Sequence, residues 1–247
     1  MKFKDFIDLH ENINDKNLFK AVWLTGGGGS GKSFIADLMF KGEGVYTADS
    51  DYMTEFIFKK EGLPLVFDKN DEVTIKKQFE RRWFAKGLAN KKLKFALDGM
   101  LPIVLVGTGR NPDLVERQYR SLKNIGYDRS MIFVEVPLEI ALERNQQRNR
   151  KVPDDVLIKA WYDSHDNIPI FRSIFGNSFR IINNEKVLVG DDLNQFHTYM
   201  RKEAIKILKE PLKNKRGIKT LQILRDVKGK YISDINQERL DRYNVSV

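Results

Sequence analysis

Eight residues, Gly26-Gly27-Gly28-Gly29-Ser30-Gly31-Lys32-Ser33, narrow the choice of fold more than any other stretch of the chain. Four glycines in a row gain little from a helix or a strand, because glycine loses the most backbone freedom on ordering. They can instead turn consecutive backbone N–H groups inward around an anion, where a Cβ would clash. Gly26, Gly31, Lys32 and Ser33 stand at the fixed positions of the Walker A pattern. In that pattern Lys32 reaches the β- and γ-phosphates and the Ser33 hydroxyl holds Mg²⁺. The helix that follows aims its positive dipole end at the same anion. Gly27, Gly28, Gly29, Ser30, Gly31, Lys32 and Ser33 are therefore read as a cradle for a nucleoside triphosphate, with ATP and Mg²⁺ as cofactors.

The flanking residues supply the context such a cradle requires. Residues 21–25 form a short apolar run stopped by glycine, which reads as a buried strand, and residues 34–40 are helically patterned. Further strands are expected at 45–48, 103–106, 131–136 and 179–182. Helices are expected after Asp51, over 71–92 with Val73, Ile75, Phe79, Trp83, Phe84 and Leu88 as apolar positions, from Pro112 to Gly126, and from Pro137. Strand alternating with helix predicts an α/β fold, a P-loop NTPase three-layer sandwich on a mostly parallel five-stranded sheet. Trp161, Tyr162, Phe171 and Phe175 are expected in the core rather than as a stacking platform.

Composition limits the alternatives. With 41% apolar and 31% charged residues, the chain is a folded protein with a core. Its lack of cysteine excludes disulfides, zinc-thiolate and iron–sulfur sites and thiol nucleophiles. The three histidines, His10, His165 and His197, show no metal-ligand spacing, and His165 beside Asp163 and Asp166 reads as an ordinary polar helix cluster. The longest apolar run, residues 101–106, is too short to span a bilayer, and Asp5, Asp8 and Glu11 interrupt any signal sequence. The expectation is a cytoplasmic protein without a membrane partner. Of the net charge of +9, residues 201–247 carry +7, thirteen Lys or Arg against six Asp or Glu. This predicts a P-loop domain over 1–200, with an amphipathic helix at 1–20 packed on it, and a basic helical or partly flexible extension over 201–247. The break in order is expected between Pro211 and Lys230, and the basic tail is a candidate contact for nucleic acid.

Phosphoryl transfer needs a carboxylate near the γ-phosphate. Asp49 and Asp51 follow the second strand at the carboxyl edge of the sheet, where such folds bind ligands. Asp51 is assigned as general base and Asp49 as a helper near Mg²⁺, although Asp51 could equally cap the helix starting at Tyr52. Arg144 and Arg148 lie one helical turn apart and can face one way, as charge stabilisers for the transition state or as a solvated face paired with Glu139 and Glu143. Thr108 and Arg110 follow the third strand and should line the acceptor side, and Asn111 before Pro112 reads as a helix start.

Taken together, the Walker A–strand–Asp51 order, Gly107-Thr108-Gly109-Arg110-Asn111-Pro112, Asn124-Ile125-Gly126-Tyr127, and the run from Val136 through Arg144, Arg148 and Arg150 to Pro153 resemble the zeta-toxin kinase group. The likeness is greatest to the versions encoded by tailed phages and covers roughly residues 20–185. That group phosphorylates UDP-N-acetylglucosamine with ATP and Mg²⁺ and is related to polynucleotide kinases. The resemblance implies a catalytic aspartate at Asp51, phosphate-stabilising arginines among Arg144, Arg148 and Arg150, and a host-cytoplasmic location. The chain departs from the group at Val106, where an acidic residue usually precedes Gly-Thr.

The sequence therefore points to an ATP- and Mg²⁺-dependent kinase acting on a hydroxyl of a nucleotide sugar or other small metabolite. Lys32, Asp51, Arg144 and Arg148 are its catalytic residues, Arg150 a further nucleotide contact, Asp49, Thr108 and Arg110 its acceptor contacts, and Ser33 and Asp49 its metal contacts. Two rivals stand beside it. One is a polynucleotide 5′-hydroxyl kinase using the basic tail; the other is a non-catalytic nucleotide-binding phage protein, which Val106 favours.

Overall fold

In the computed structural model, residues 16–66, 71–148, 152–186 and 189–226 are described. Among the described residues five strands build one sheet: β1 (Lys20–Thr25), β2 (Tyr46–Ala48), β3 (Ile103–Val106), β4 (Asp128–Glu135) and β5 (Phe179–Asn183). Their order is β2-β3-β1-β4-β5 and every pairing is parallel, with Leu24 opposite Val106 and Thr25 opposite Phe133. The expected α/β P-loop NTPase fold is present, and the sheet is wholly rather than mostly parallel.

Alternation along the strands divides the core between two faces. Ala21, Trp23, Ile103, Leu105, Met131 and Phe133 point to one side. There they meet helices α3 (Glu72–Asp98), α4 (Pro112–Asn124), α7 (Ile168–Phe175) and α9 (Lys215–Asp226) through Leu93, Leu122, Phe171 and Leu224. Val22, Leu24, Val104, Ile132 and Val134 point to the other side and meet α1 (Lys32–Phe40) and α8 (Gly190–Lys209). Three layers result. The remaining helices, α2 (Ser50–Lys60), α5 (Leu138–Gln146) and α6 (Asp154–His165), cluster around the carboxyl edge of the sheet.

Three local expectations change. Helix α3 is longer than the periodicity predicts, running to Asp98, and four of the six apolar positions expected to mark its buried face point outward. Val73 is 83% exposed and Trp83 74%, with Phe79 and Phe84 also outside, while Gln78, Ala85, Ala89, Leu93, Ala96 and Leu97 make the buried face. Residue 200, where the domain was expected to end, lies inside α8, whose Met200, Ala204, Ile207 and Leu208 are core residues. The stretch from Pro211, expected to begin a break in order, leads directly into α9. The Asp128 carboxylate accepts hydrogen bonds from the Lys213 and Asn214 amides at 2.9 Å each, and Asn214 donates to the Lys123 and Tyr127 carbonyls. The expected helix at 1–20 falls mostly on residues 1–15, outside the described residues, as do 227–247 of the extension.

Candidate active site

The parallel register brings the ends of β1, β2 and β3 to one edge, so the loops after them share a cleft. The loop after β1 is the glycine run. Its tightness is visible at two glycines with left-handed backbone. At Gly29, φ 77°, a Cβ would stand 2.5 Å from the Ala141 carbonyl oxygen; at Gly31, φ 83°, it would collide with the Asn184 amide. Helix α5 and the end of β5 thus press on the loop from outside. Trp161 and Leu157 of α6 pack over Gly27 and Gly28. The loop carbonyl of Ser30 accepts 2.9 Å from the buried Asn184 Nδ2, and Gly31 opens α1 with no side chain capping its first turn.

Lys32 folds back into this loop, its Nζ donating to the Gly26 and Gly27 carbonyls at 2.8 Å each. Burial lowers its pKa to about 8, the Arg148 guanidinium pushes the same way, and Asp51 and Asp49 oppose them. One ammonium thus senses Arg148, Asp51 and Asp49 together, although the arginine and the two acids come from separate segments. Arg144 sits beside Gly31 and donates to the Glu185 carbonyl at 3.4 Å. Asn145, fully buried next to it, ties α5 to Val152 through hydrogen bonds of 2.7 and 3.0 Å. Arg150 lies outside the described residues.

The two acids divide their work. Asp49 is the N-cap of α2, its Oδ1 accepting from the Asp51 and Tyr52 amides at 2.9 and 3.1 Å. The cap is therefore not Asp51, whose exposed side chain lies in the first turn of α2. Burial pushes the Asp49 carboxyl up, the Tyr52 amide hydrogen bond pulls it down, and the Asp51 charge pushes it up again. Ser33 and Asp49 line one cleft of about 210 Å³, to which α3 adds Ala89 and Lys92.

Asp51 instead lines a larger cavity of about 480 Å³ with Ser50, Thr25, Val106, Thr108 and Arg110. The 107–111 loop that forms its far wall is fastened to α6 and α7. Arg110 Nε and Nη2 donate to one Asp163 oxygen at 3.1 and 3.0 Å, and Asn167 Nδ2 donates to the Gly109 carbonyl at 2.9 Å. Asn111 caps α4 by accepting from the Leu114 amide at 2.9 Å, with Pro112 at the first turn. Of the aromatics expected in the core, Phe171 and Phe175 are buried there. Trp161 covers the glycine loop with His165 stacked on it at 3.6 Å, and Tyr162 is 52% exposed.

Sequence reasoning missed Asn184, Asn145, Lys92, Asn167 and Asp163. Asn184 carries a faint signal, a polar residue directly after a strand at the ligand-binding edge. Asp163 was read as part of a polar helix cluster, because nothing local reveals a partner 53 residues away.

The glycine cradle, the uncapped helix start and Lys32 together fit a nucleotide's phosphates. Among the described residues no group of three or more His, Cys, Asp or Glu stands ready for a metal. Mg²⁺ bound through one hydroxyl and phosphate oxygens needs no such group. No described helix is long and apolar enough to cross a membrane.

Residues 22–168 match the AAA domain family. No curated protein sequence matches the chain. Among solved structures the chain is similar to one from the PezAT chromosomal toxin–antitoxin system of Streptococcus pneumoniae, at 14% identity and TM-score 0.49, covering 97% of this chain and 92% of that one. It is similar to shikimate kinase from Bacteroides thetaiotaomicron at 16% identity and TM-score 0.47, covering 74% and 97%. A gluconokinase from Sinorhizobium meliloti matches at 15% identity and TM-score 0.42, covering 85% and 98%.

Proposed function

The chain belongs to the AAA domain family, and from that membership and the geometry of the cleft we propose that it is an ATP- and Mg²⁺-dependent phosphotransferase. It moves the γ-phosphoryl group to a hydroxyl of a small metabolite or nucleotide sugar. The observation that carries this reading is the position of Asp51. It lines the acceptor-sized cavity with Thr108 and Arg110, yet its charge reaches Lys32 in the phosphate cradle. A carboxylate shared by a phosphate site and a second cavity suits deprotonation of an acceptor hydroxyl facing the γ-phosphate.

The residues then take distinct roles. The 27–31 loop and the start of α1 hold the phosphates, with Asn184 bracing the loop from behind. Lys32 exchanges its two carbonyl partners for phosphate oxygens. Arg148 and Arg144 offer permanently charged donors for the equatorial oxygens, Arg150 being assigned with them on sequence alone. Ser33 would hold Mg²⁺, with Asp49 as neighbour on the same cleft; the ion supplies charge neutralisation between the phosphates. Asp51 accepts the proton. Thr108 and Arg110 orient the acceptor from the opposite wall.

Replacing Asp51 by Asn separates binding from transfer. ATP affinity of Asp51→Asn should stay within about threefold of wild type while transfer falls by about 10²–10⁴. Transfer at the wild-type rate removes Asp51 from the reaction. The polynucleotide-kinase reading has one structural observation in its favour. Helix α3, which reaches the Ser33–Asp49 cleft through Lys92, exposes Trp83, Phe84 and Phe95 among its lysines. That reading requires oligonucleotide binding that weakens steeply with salt.

A further inference from the structure

We propose that the cavity beside Asp51 receives an uncharged, hydroxyl-bearing moiety, and that Asp163 sets this preference by neutralising Arg110. This deepens the kinase reading and rests on it for the identity of the cavity as the acceptor site.

The charges on the cavity wall set the preference. The described lining contains one cation, Arg110, and two carboxylates, Asp51 and Asp163. Lys32, Arg144 and Arg148 are not part of that lining; Lys32 and Arg144 lie at the phosphate cradle, and the Arg148 charge acts on Lys32 there. The Arg110 charge is already matched by a carboxylate. Its Nε and Nη2 both donate to Asp163 Oδ2, at 3.1 and 3.0 Å, while Lys159 holds Asp163 Oδ1 at 3.2 Å. Hydrogen bonds from Lys159 and Arg110, and their charges, keep the Asp163 carboxyl below its usual range, so it stays ionised at neutral pH. A carboxylate or phosphate entering here would face Asp51 and would meet a guanidinium whose charge Asp163 already balances.

The rest of the wall suits a neutral polyhydroxyl ring. Ser50, Thr108 and Asn111 supply donors and acceptors, and Leu105, Val106, Leu114 and Val115 supply an apolar floor. Val106 matters for the count, since an acid at that position would add a third carboxylate. At about 480 Å³ the cavity falls within the range of small-molecule sites.

The 107–111 loop is also held independently of the ion pair, through Asn167 on the Gly109 carbonyl. Removing the Asp163 charge should therefore change selectivity without dissolving the wall. In this view Asp163 is a positioning residue that acts through Arg110.

The test is calorimetric binding, in the presence of a non-hydrolysable ATP analogue and Mg²⁺, so it does not depend on turnover. The probes are matched pairs: glucose and glucuronate, N-acetylglucosamine and its 6-phosphate, uridine and uridine monophosphate. Wild-type protein should bind the neutral member of at least one pair more tightly than its charged counterpart. In Asp163→Asn, which keeps the side-chain shape, the released guanidinium should shift the ratio toward the anion by about tenfold or more. Arg110→Gln should shift it the other way.

Preference of the wild type for the charged members overturns the proposal. So does binding of no neutral member, or an Asp163→Asn ratio equal to that of wild type. Neutral preference in binding together with absent phosphoryl transfer would instead sink the kinase reading while leaving the charge selectivity standing.

Discussion

Lys32 is the residue on which the site's electrostatics converge. With its pKa lowered to about 8 by burial and by Arg148, roughly half of the free molecules carry it neutral at pH 8. The unfolded chain keeps the ordinary lysine value, so between about pH 8 and that value the unfolded state holds more protons. The contribution of this group to stability therefore rises with pH across that window. Bound phosphates favour the charged form and return the pKa upward. Binding of Mg²⁺-ATP at pH 8 should accordingly take up about half a proton, against almost none from this group at pH 6.5. Titration calorimetry in two buffers of different ionisation enthalpy measures the uptake. Lys32→Arg, charged at both pH values, should abolish it; undiminished uptake in that variant would assign the proton elsewhere. The cradle itself was legible because glycine, lysine and serine act there at short range. Asn184, which braces it, was not, because its contact to Ser30 spans 154 residues.

At the scale of elements, α3 shows where pattern reading fails. Val73, Phe79, Trp83 and Phe84 lie on its outer face, while Ala85, Ala89 and Ala96 share the buried face with Leu93 and Leu97. Small side chains let α3 lie close against its neighbours, and a search for bulky hydrophobics passes over them. Leu93→Ala should cost about 2–5 kcal/mol of unfolding free energy by emptying a fully buried site. Trp83→Ala should stay within about 0.5 kcal/mol, its ring being mostly in solvent. Chemical denaturation of the two variants checks this ordering, and a larger loss at Trp83 would mean that the exposed strip is covered in solution. Strands were easier. The central strands β1 and β3 and the Met131–Val134 part of β4 are short apolar runs, the pattern of a parallel sheet buried on both faces. The cap of α2 fell to Asp49 rather than Asp51 because an N-cap must precede the helix, and α2 begins at Ser50.

For the whole molecule, residues 201–226 are part of the frame. Helix α8 closes one face of the sheet and α9 the other, so composition alone, which sets this region apart by charge, misplaces its structural role. Asp128 is the joint. It pairs with Lys20, 3% exposed, at 3.0 Å and also holds the Lys213 and Asn214 amides. Asp128→Ala strands a buried ammonium and frees the start of α9, and should cost about 3–5 kcal/mol. Thermal denaturation of the full chain measures it, and an unchanged midpoint would show that α9 is held by its apolar face alone. This frame presents the cradle, Lys32 and Asp51 along one edge, the place proposed for phosphoryl transfer. The most direct measurement is incubation with γ-³²P-labelled ATP and Mg²⁺ against nucleotide sugars, neutral sugars, nucleosides and 5′-hydroxyl oligonucleotides, beside Lys32→Ala. Label should appear in a small hydroxylic acceptor with the wild-type chain and vanish with Lys32→Ala. ATP binding without any labelled product would contradict the account and leave a nucleotide-binding module on the same fold.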